Sequence, residues 1–166
     1  VLGEESNSLP AFTIKGRGGV NLREYWHHQE GFKAHRGAGV AGFPNLFLNL
    51  GIPYAGGTSW YETADIVSAQ IVKCLLTAKL RNAQEIEVRP EAVDAYMQKM
   101  HEMLRWSVHR TGSCASANSY YYDAKGNAPL YTAEPAPVSW REAVNSVERS
   151  YEFRSVSRPH VPVAVS

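Results

Sequence analysis

A glycine-rich turn between an apolar run and a helix is the part of this sequence best suited to chemistry. Residues 45–50 resemble a buried strand, residues 51–57 supply glycines and a proline, and a helix is predicted from Ser59 onward. Such a junction places backbone N–H groups and the positive end of a helix dipole at the carboxyl edge of a sheet, where anionic or electron-rich cofactor atoms bind. An ordinary strand-to-helix turn would also need glycine for its backbone angles, so both interpretations are open at this point.

An amphipathic helix should follow this turn. Ser59-x-x-Glu62 has the capping-box pattern, and apolar residues recur at steps of three and four, which predicts a helix over residues 59–80. The predicted apolar stripe consists of Trp60, Ala64, Val67, Ile71, Cys74 and Ala78. We expect this stripe to pack on the sheet, and Tyr61, on another face of the helix, to line a pocket.

A second helix and a less regular tail complete the predicted elements. A short strand at residues 85–88 leads to Pro90, which suits a first helical turn, and apolar residues within 93–108 mark the helix. The capping box at residues 139–142 predicts a further short helix. Residues 155–166 have no periodicity and are expected to form an extended tail.

Composition limits the class of protein. The chain has 166 residues, of which 44% are hydrophobic and 20% charged, with a net charge of +1, as expected of one globular domain. Scattered basic residues argue against nucleic-acid binding, and apolar segments shorter than about 20 residues argue against a membrane span. The two cysteines and the adjacent His27 and His28 lack metal-binding spacing, so no metal site is predicted. This use of cysteine fits a cytoplasmic location.

Several sequence motifs, taken in order, resemble one enzyme family. GFPNLFLNLG at residues 42–51 follows GRGG at 16–19 and EYW at 24–26; a long helix then carries a Gln-Ile pair at 70–71, and a Cys-, Ser- and Tyr-rich segment occupies 114–123. This order is similar to the C-terminal part of the class B flavoprotein monooxygenases, the Baeyer-Villiger and flavin-containing type. The similarity covers most of the chain. Arg17, within GRGG, is assigned no chemical role, since a surface salt bridge accounts equally well for it.

Two signatures of that family are absent from this sequence. It has no Gly-x-Gly-x-x-Gly fingerprint for the phosphates of FAD or NADPH, and no Phe-x-Gly-x-x-x-His-x-x-x-Trp segment, which marks the Baeyer-Villiger branch. The chain also begins at Val1 rather than at a methionine. We therefore expect it to be a piece of a longer protein whose catalytic apparatus lies mainly elsewhere.

The resemblance implies a fold and an activity. The fold would be α/β: the C-terminal fragment of an FAD/NAD(P)-binding doubly wound domain, with two long helices and an irregular extension. Residues 1–154 would form the domain portion and residues 155–166 the tail. The parent protein would use FAD and NADPH to insert one oxygen atom from O2 into a ketone or heteroatom substrate through a peroxyflavin. We expect the chain alone to be inactive, and it need not bind either cofactor by itself.

The resemblance also places the flavin beside the turn at the start of the first long helix. Backbone N–H groups there would stabilise negative charge on the pyrimidine side of the reduced flavin ring. The cofactor-binding residues that it implies are Gly51, Gly56, Gly57, Tyr61, Glu62 and Thr63. It implies no catalytic residue and no metal ligand in this chain. The family's usual Gly-Pro-Asn is replaced here by Gly-Ile-Pro-Tyr at residues 51–54.

A different class of function stays open. A small helix-and-sheet module without catalysis could bind a partner protein through apolar surface. A chain cut from an open sheet would also expose a strand edge and could self-associate through it. A severed flavoprotein should self-associate or aggregate until its N-terminal part is restored, whereas an interaction module should be the same stable monomer whatever precedes it.

Overall fold

The computed structural model describes residues 12–28, 33–49, 54–55, 59–107, 111 and 131–156. In chain order its elements are a 3-10 turn (Arg17–Gly19), α1 (Leu22–His28), β1 (Tyr54–Ala55), α2 (Trp60–Leu80), β2 (Glu85–Val88), α3 (Pro90–Leu104), β3 (Tyr131–Thr132), α4 (Ala136–Asn145), α5 (Val147–Ser150) and β4 (Tyr151–Arg154). The mixed α/β class predicted from the sequence is confirmed. Among the described helices, none has the length and apolar character needed to cross a membrane.

The described strands form two small sheets of two strands each. Strands β1 and β3 are parallel, whereas β2 and β4 are antiparallel. The register of the second pair places Glu85 opposite Arg154 and Val88 opposite Tyr151. The sequence pattern does not predict β4, because its partner strand β2 is distant in the chain and no local turn signal links the two. This second sheet forms one wall of the main core.

The predicted buried strand at residues 45–50 is wrong for its described part. Asn45 has a left-handed backbone with a φ of 60°, and Phe47 forms only an isolated bridge with Gly39. The reason is that Asn45 bonds to strand β2 through both its main chain and its side chain. Its N–H donates to Ile86 O (2.8 Å), and its Oδ1 accepts from Ile86 N–H (2.9 Å). A left-handed residue interrupts an extended chain, so the chain turns at Asn45, where it docks on β2.

Helix α2 begins where the sequence predicts, and its buried face includes Val67, Cys74 and Ala78 of the predicted stripe. Ser59 is the N-cap, because its Oγ accepts a hydrogen bond from the N–H of Tyr61 (3.2 Å). The buried residues are Thr63, Ile66, Val67, Gln70, Cys74, Thr77 and Ala78. Trp60, which the predicted stripe includes, is 56% exposed. Gln70 lies inside because buried partners contact the Nε2 atom of its amide, and apolar periodicity does not detect such contacts.

Helix α3 follows its prediction, and α4 departs from it. Pro90 is the first residue of α3. The buried residues of α3 include Val93, Met97, Met100 and Leu104. Helix α4 begins at Ala136, with Pro135 as its N-cap, so the predicted start at Ser139 is wrong. Proline presets the backbone of a first helical turn, and Ser139 instead donates its hydroxyl to Glu134 Oε2 (2.9 Å) from inside the helix.

Two clusters of buried residues form the core. The larger one lies between α2, α3 and the β2–β4 sheet and includes Cys74, Ile86, Val88, Met97, Met100, Val147 and Tyr151. Burial raises the pKa of the Cys74 thiol to about 12, so this cysteine is an unreactive core residue. The smaller cluster consists of Leu22, Trp26, Ala34, Val40 and Phe43. It packs α1 against the loop that follows and so holds the GRGG motif at residues 16–19 and the GFPN motif at residues 42–45 together.

Candidate functional site

The GRGG and GFPN motifs pack directly against each other. The N–H of Arg17 donates to Gly42 O (2.8 Å). A Cβ atom at Gly16 would lie 2.4 Å from Gly42 O and 2.8 Å from Cδ1 of Phe43, so a larger residue would displace the backbone. These two of the motifs that carry the family resemblance therefore form one structural unit.

Arg17 belongs to a network of ion pairs on the β2–β4 sheet. It bonds to Glu85 and Glu87, and Arg154 bonds to the same two carboxylates. Glu87 Oε1 also accepts from the N–H of Gly42 (3.0 Å). Burial raises the pKa of Glu87, but hydrogen bonds from Arg154 and Arg17 outweigh burial and hold this pKa below its usual value. Arg17 thus forms a surface salt bridge, the role that the sequence suggested for it. Through Glu87, the network also holds the loop at Gly42 against β2.

A buried polar cluster ties helix α2 to the loop around Gly39 and to strand β4. Gln70 Nε2 donates to the hydroxyl of Tyr151 (2.7 Å) and lies 3.4 Å from His35 Nδ1. All three side chains are buried, and the rings of His35 and Tyr151 meet edge-on with 5.6 Å between centroids. A Cβ atom at Gly39 would lie 2.7 Å from the Tyr151 hydroxyl, so glycine is needed there. The cluster fixes the position of α2 relative to the core.

The buried His35 side chain should make stability depend on pH. Burial lowers its pKa to about 3, and the charges of Arg36 and Arg149 add to this effect. An unfolded histidine takes up a proton near pH 6.5, whereas folded His35 stays neutral down to about pH 3. The unfolded state therefore binds more protons between these values, and stability falls as the pH drops below 6.5. We expect a loss of about 2 kcal/mol on going from about pH 6.5 to about pH 5.

Urea unfolding at a series of pH values measures this dependence. The His35→Asn variant keeps a polar group but cannot titrate, so its stability should change little over the same interval, even if its overall stability is lower. The exposed His101→Asn variant is the matched control and should keep the wild-type slope. An unchanged slope in His35→Asn would show that another group carries the dependence.

A buried ion-pair cluster joins three distant parts of the chain. Glu134 Oε2 accepts from both Nη atoms of Arg36 (2.7 and 2.8 Å), and its Oε1 accepts from Lys99 Nζ (2.6 Å). Ser139 Oγ also donates to Oε2. The guanidinium of Arg36 lies over the ring of Tyr96, 5.2 Å from its centroid. The cluster thereby connects the loop that carries Arg36, helix α3 and the start of α4.

The start of α2 carries three of the six predicted cofactor-binding residues. The other three, Gly51, Gly56 and Gly57, lie outside the residues that the structure describes. Tyr61 is 86% exposed, Glu62 is partly buried and Thr63 is buried. Thr63 donates both its N–H (3.0 Å) and its hydroxyl (3.2 Å) to Ser59 O, so its polar groups shape the first turn.

The start of α2 has the features that bind the anionic edge of a flat cofactor. Helix α2 has 21 residues, long enough for a developed dipole, and its N-terminal residues Ser59 and Tyr61 are exposed. The Tyr61 ring offers a flat apolar surface with a polar tip. The residues present therefore fit contact with a flavin at the level of the helix end and of Tyr61.

Sequence patterns do not reveal the two buried polar clusters, one around Gln70 and Tyr151 and the other around Arg36 and Glu134. His35 and Gln70 are 35 positions apart, and Arg36 and Glu134 are 98 positions apart. No local spacing signals such pairs. The one available signal is Gln70, a polar residue between Val67 and Cys74 on the inner face of α2. A buried amide needs partners, so its position alone predicts a buried polar contact.

The chain is similar to known monooxygenases over most of its length, although no family model matches it. The FAD-binding monooxygenase hmp7 of Hypomyces subiculosus is 25% identical over 154 residues, which are 90% of this chain and 25% of the relative. A Baeyer-Villiger monooxygenase of Pseudomonas aeruginosa is 29% identical over 112 residues, which are 67% of this chain and 21% of the relative. The chain therefore spans about a quarter of the length of these curated relatives.

Solved structures of monooxygenases share the fold. An oxidized steroid monooxygenase bound to NADP matches with a TM-score of 0.70 at 23% identity, over 87% of this chain and 26% of that one. Cyclohexanone monooxygenase from Rhodococcus sp. Phi1 bound to NADP+ matches with a TM-score of 0.64 at 19% identity, over 87% of this chain and 27% of that one. The curated relatives and the structural neighbours are thus FAD-binding or Baeyer-Villiger monooxygenases and related enzymes, which confirms the resemblance seen in the motifs.

Proposed function

We propose that this chain is the C-terminal portion of an FAD-dependent, NADPH-using monooxygenase that inserts one oxygen atom from O2 into a ketone or heteroatom substrate. The observation that carries the proposal is the fold match to a monooxygenase over 87% of the chain. When bound, FAD reduced by NADPH supplies the oxygen chemistry. The residues of this chain supply part of the cofactor's surroundings. Because the chain has about a quarter of the relatives' length, we expect it to be inactive alone.

In this proposal the flavin meets the turn that precedes α2. The contact residues are Gly51, Gly56, Gly57, Tyr61, Glu62 and Thr63. The positive end of the α2 dipole faces the negative charge of the ring. The Gln70 cluster lies about three helical turns further along α2 and holds the helix in place. A fixed helix presents its N-terminal end to the cofactor without reorganisation.

The proposal also covers the organisation of the parent protein. Residues 1–154 belong to its doubly wound cofactor-binding domain, and residues 155–166 form an extended tail. The two small sheets of the chain each have only two described strands, which fits completion by strands elsewhere in the parent. The partners are a small-molecule substrate and O2, and the location is the cytoplasm.

A flavin titration tests the proposal. FAD is added to the purified chain and to a version extended toward the N-terminus by its own upstream coding sequence, while flavin fluorescence and visible absorbance are followed. We expect binding in the extended form and little or none in the chain alone. A well-folded protein that binds no flavin in either form would contradict the proposal.

The role of Tyr61 is tested in the form that binds flavin. Tyr61→Ala should raise the Kd for FAD about three- to tenfold, because it removes an aromatic contact of about 0.5–1.5 kcal/mol. Trp106→Ala is the matched control, since Trp106 is also an exposed aromatic residue. Its Kd should equal that of the wild type. Equal effects of the two substitutions would remove Tyr61 from the contact set.

One observation favours the alternative, a non-catalytic protein-interaction module. Helix α2 presents exposed leucines on its outer face. A module of this kind would be a stable chain that binds no flavin with or without an N-terminal extension. The same titration therefore separates the two functions.

A further inference from the structure

The outer face of helix α2 is apolar and exposed. Its large apolar residues are Val72, Leu75, Leu76 and Leu80, each of which is at least half-exposed. They recur at steps of three and four along the helix. They therefore form one stripe, opposite the buried face that contains Gln70 and Cys74. A continuous apolar stripe of this kind marks a contact surface.

The two halves of this face differ in size and charge. Before Val72 the face carries the exposed Asp65 together with the small, partly buried residues Ser68 and Ala69. After Val72 it carries the large residues Leu75 and Leu76 together with Lys79. Asp65, Ser68 and Ala69 lie as many residues before Val72 as Lys79, Leu76 and Leu75, respectively, lie after it. At 1.5 Å per residue, Asp65 and Lys79 lie about 10 Å on either side of Val72.

We propose that α2 pairs antiparallel with α2 of a second copy of this chain, across a two-fold axis at Val72. In this arrangement Leu75 and Leu76 of one copy face Ala69 and Ser68 of the other, so large side chains meet small ones. The same contact is made twice, as in any isologous interface.

Charge also selects the antiparallel direction. Pairing about Val72 brings Asp65 of each copy opposite Lys79 of the other, and both side chains are exposed and available for this contact. A parallel pair would instead place Asp65 against Asp65 and Lys79 against Lys79, which like charges disfavour. The inference does not rest on the proposed function, because it uses only the residues of α2.

Sedimentation velocity over about 5 to about 500 µM chain tests for the dimer, since a contact of one helix per copy is small and should be weak. We expect a monomer–dimer equilibrium. Val72→Glu places two carboxylates at the two-fold axis and should weaken association at least tenfold. Val156→Glu is the matched control, because Val156 is equally exposed, at 50% against 52%, but lies outside α2. It should leave the equilibrium unchanged.

A charge swap tests the antiparallel register. Asp65→Lys should weaken the dimer about three- to tenfold, because each Lys79 then faces a second lysine. The double variant Asp65→Lys with Lys79→Glu restores opposite charges across the axis and should associate within about twofold of the wild type. Thermal melting of each variant reports any change in the helix itself, since Lys79 in the last turn also complements the helix dipole.

Three outcomes would overturn the inference. They are a monomer at every concentration, a dimer that Val72→Glu leaves intact, and a double swap that fails to restore association. If the chain is monomeric, hydrogen exchange of α2 in the N-terminally extended form shows whether the rest of a longer chain covers this face instead.

Discussion

The Glu134→Gln variant is expected to lose about 3–5 kcal/mol of unfolding free energy. The carboxylate of Glu134 is buried and holds Arg36, whose side chain is only 8% exposed. Removing the negative charge leaves the guanidinium charge of Arg36 buried without a counterion, and the new amide group turns a donor toward Arg36 or Lys99. Urea unfolding measures the loss.

The matched control for this prediction is Glu148→Gln. Glu148 also pairs with an arginine, Arg81, at 2.7 Å, but the glutamate is 60% exposed. Water and salt screen such a pair, so the control should lose less than about 1 kcal/mol. The double variant Arg36→Met with Glu134→Leu removes both charges and should be more stable than Glu134→Gln alone. Equal losses in Glu134→Gln and Glu148→Gln would contradict the assignment of a buried, coupled pair.

Tyr151→Ala is expected to lose a similar amount, about 3–5 kcal/mol. The ring of Tyr151 is the largest fully buried side chain among the described residues, and it packs beside Phe47 and His35. Its removal leaves a cavity in the main core and takes away the partner of Gln70. Tyr151→Phe keeps the ring and removes only the hydroxyl, so it should lose about 1–3 kcal/mol.

Tyr151→Ala and Tyr151→Phe together separate the contribution of ring packing to stability from that of the hydroxyl hydrogen bond. Tyr61→Ala is the control, since Tyr61 is almost fully exposed and its removal should change stability by no more than about 0.5 kcal/mol. Unfolding by guanidinium gives all three values under one set of conditions. If Tyr151→Phe cost as much as Tyr151→Ala, the hydroxyl rather than the ring would carry the stabilisation.

Both predictions concern contacts that position helix α2 or the elements around it. Tyr151 holds Gln70, which lies on the inner face of α2, and Glu134 connects Arg36 to α3 and α4. In the proposed monooxygenase, a loosened α2 would misplace its N-terminal end at the flavin. We therefore expect Tyr151→Phe to weaken flavin affinity in the extended form more than Glu148→Gln does, although neither residue contacts the proposed site.

The sequence alone predicts those elements whose signals are local. Ser59 caps α2 through a bond to the N–H of Tyr61, two residues away, and Pro90 starts α3 through its fixed backbone angle. The predicted strand at residues 45–50 fails because Asn45 bonds to Ile86, which is remote in sequence. The predicted start of α4 at Ser139 fails for a local reason: proline begins the helix three residues earlier, at Ala136, and the Ser139 hydroxyl donates to Glu134 instead.

The features of the candidate site likewise fall into those that the sequence predicts and those that only the tertiary structure decides. Sequence motifs determine the resemblance to flavoprotein monooxygenases and the residue at which α2 begins, because a capping residue acts on its own backbone. Tertiary structure alone decides that Trp60 lies outside the buried face of α2, that His35 remains neutral in mild acid and that Glu134 is paired inside the protein. Burial and charge pairing depend on residues brought together from distant parts of the chain, and no local pattern contains that information.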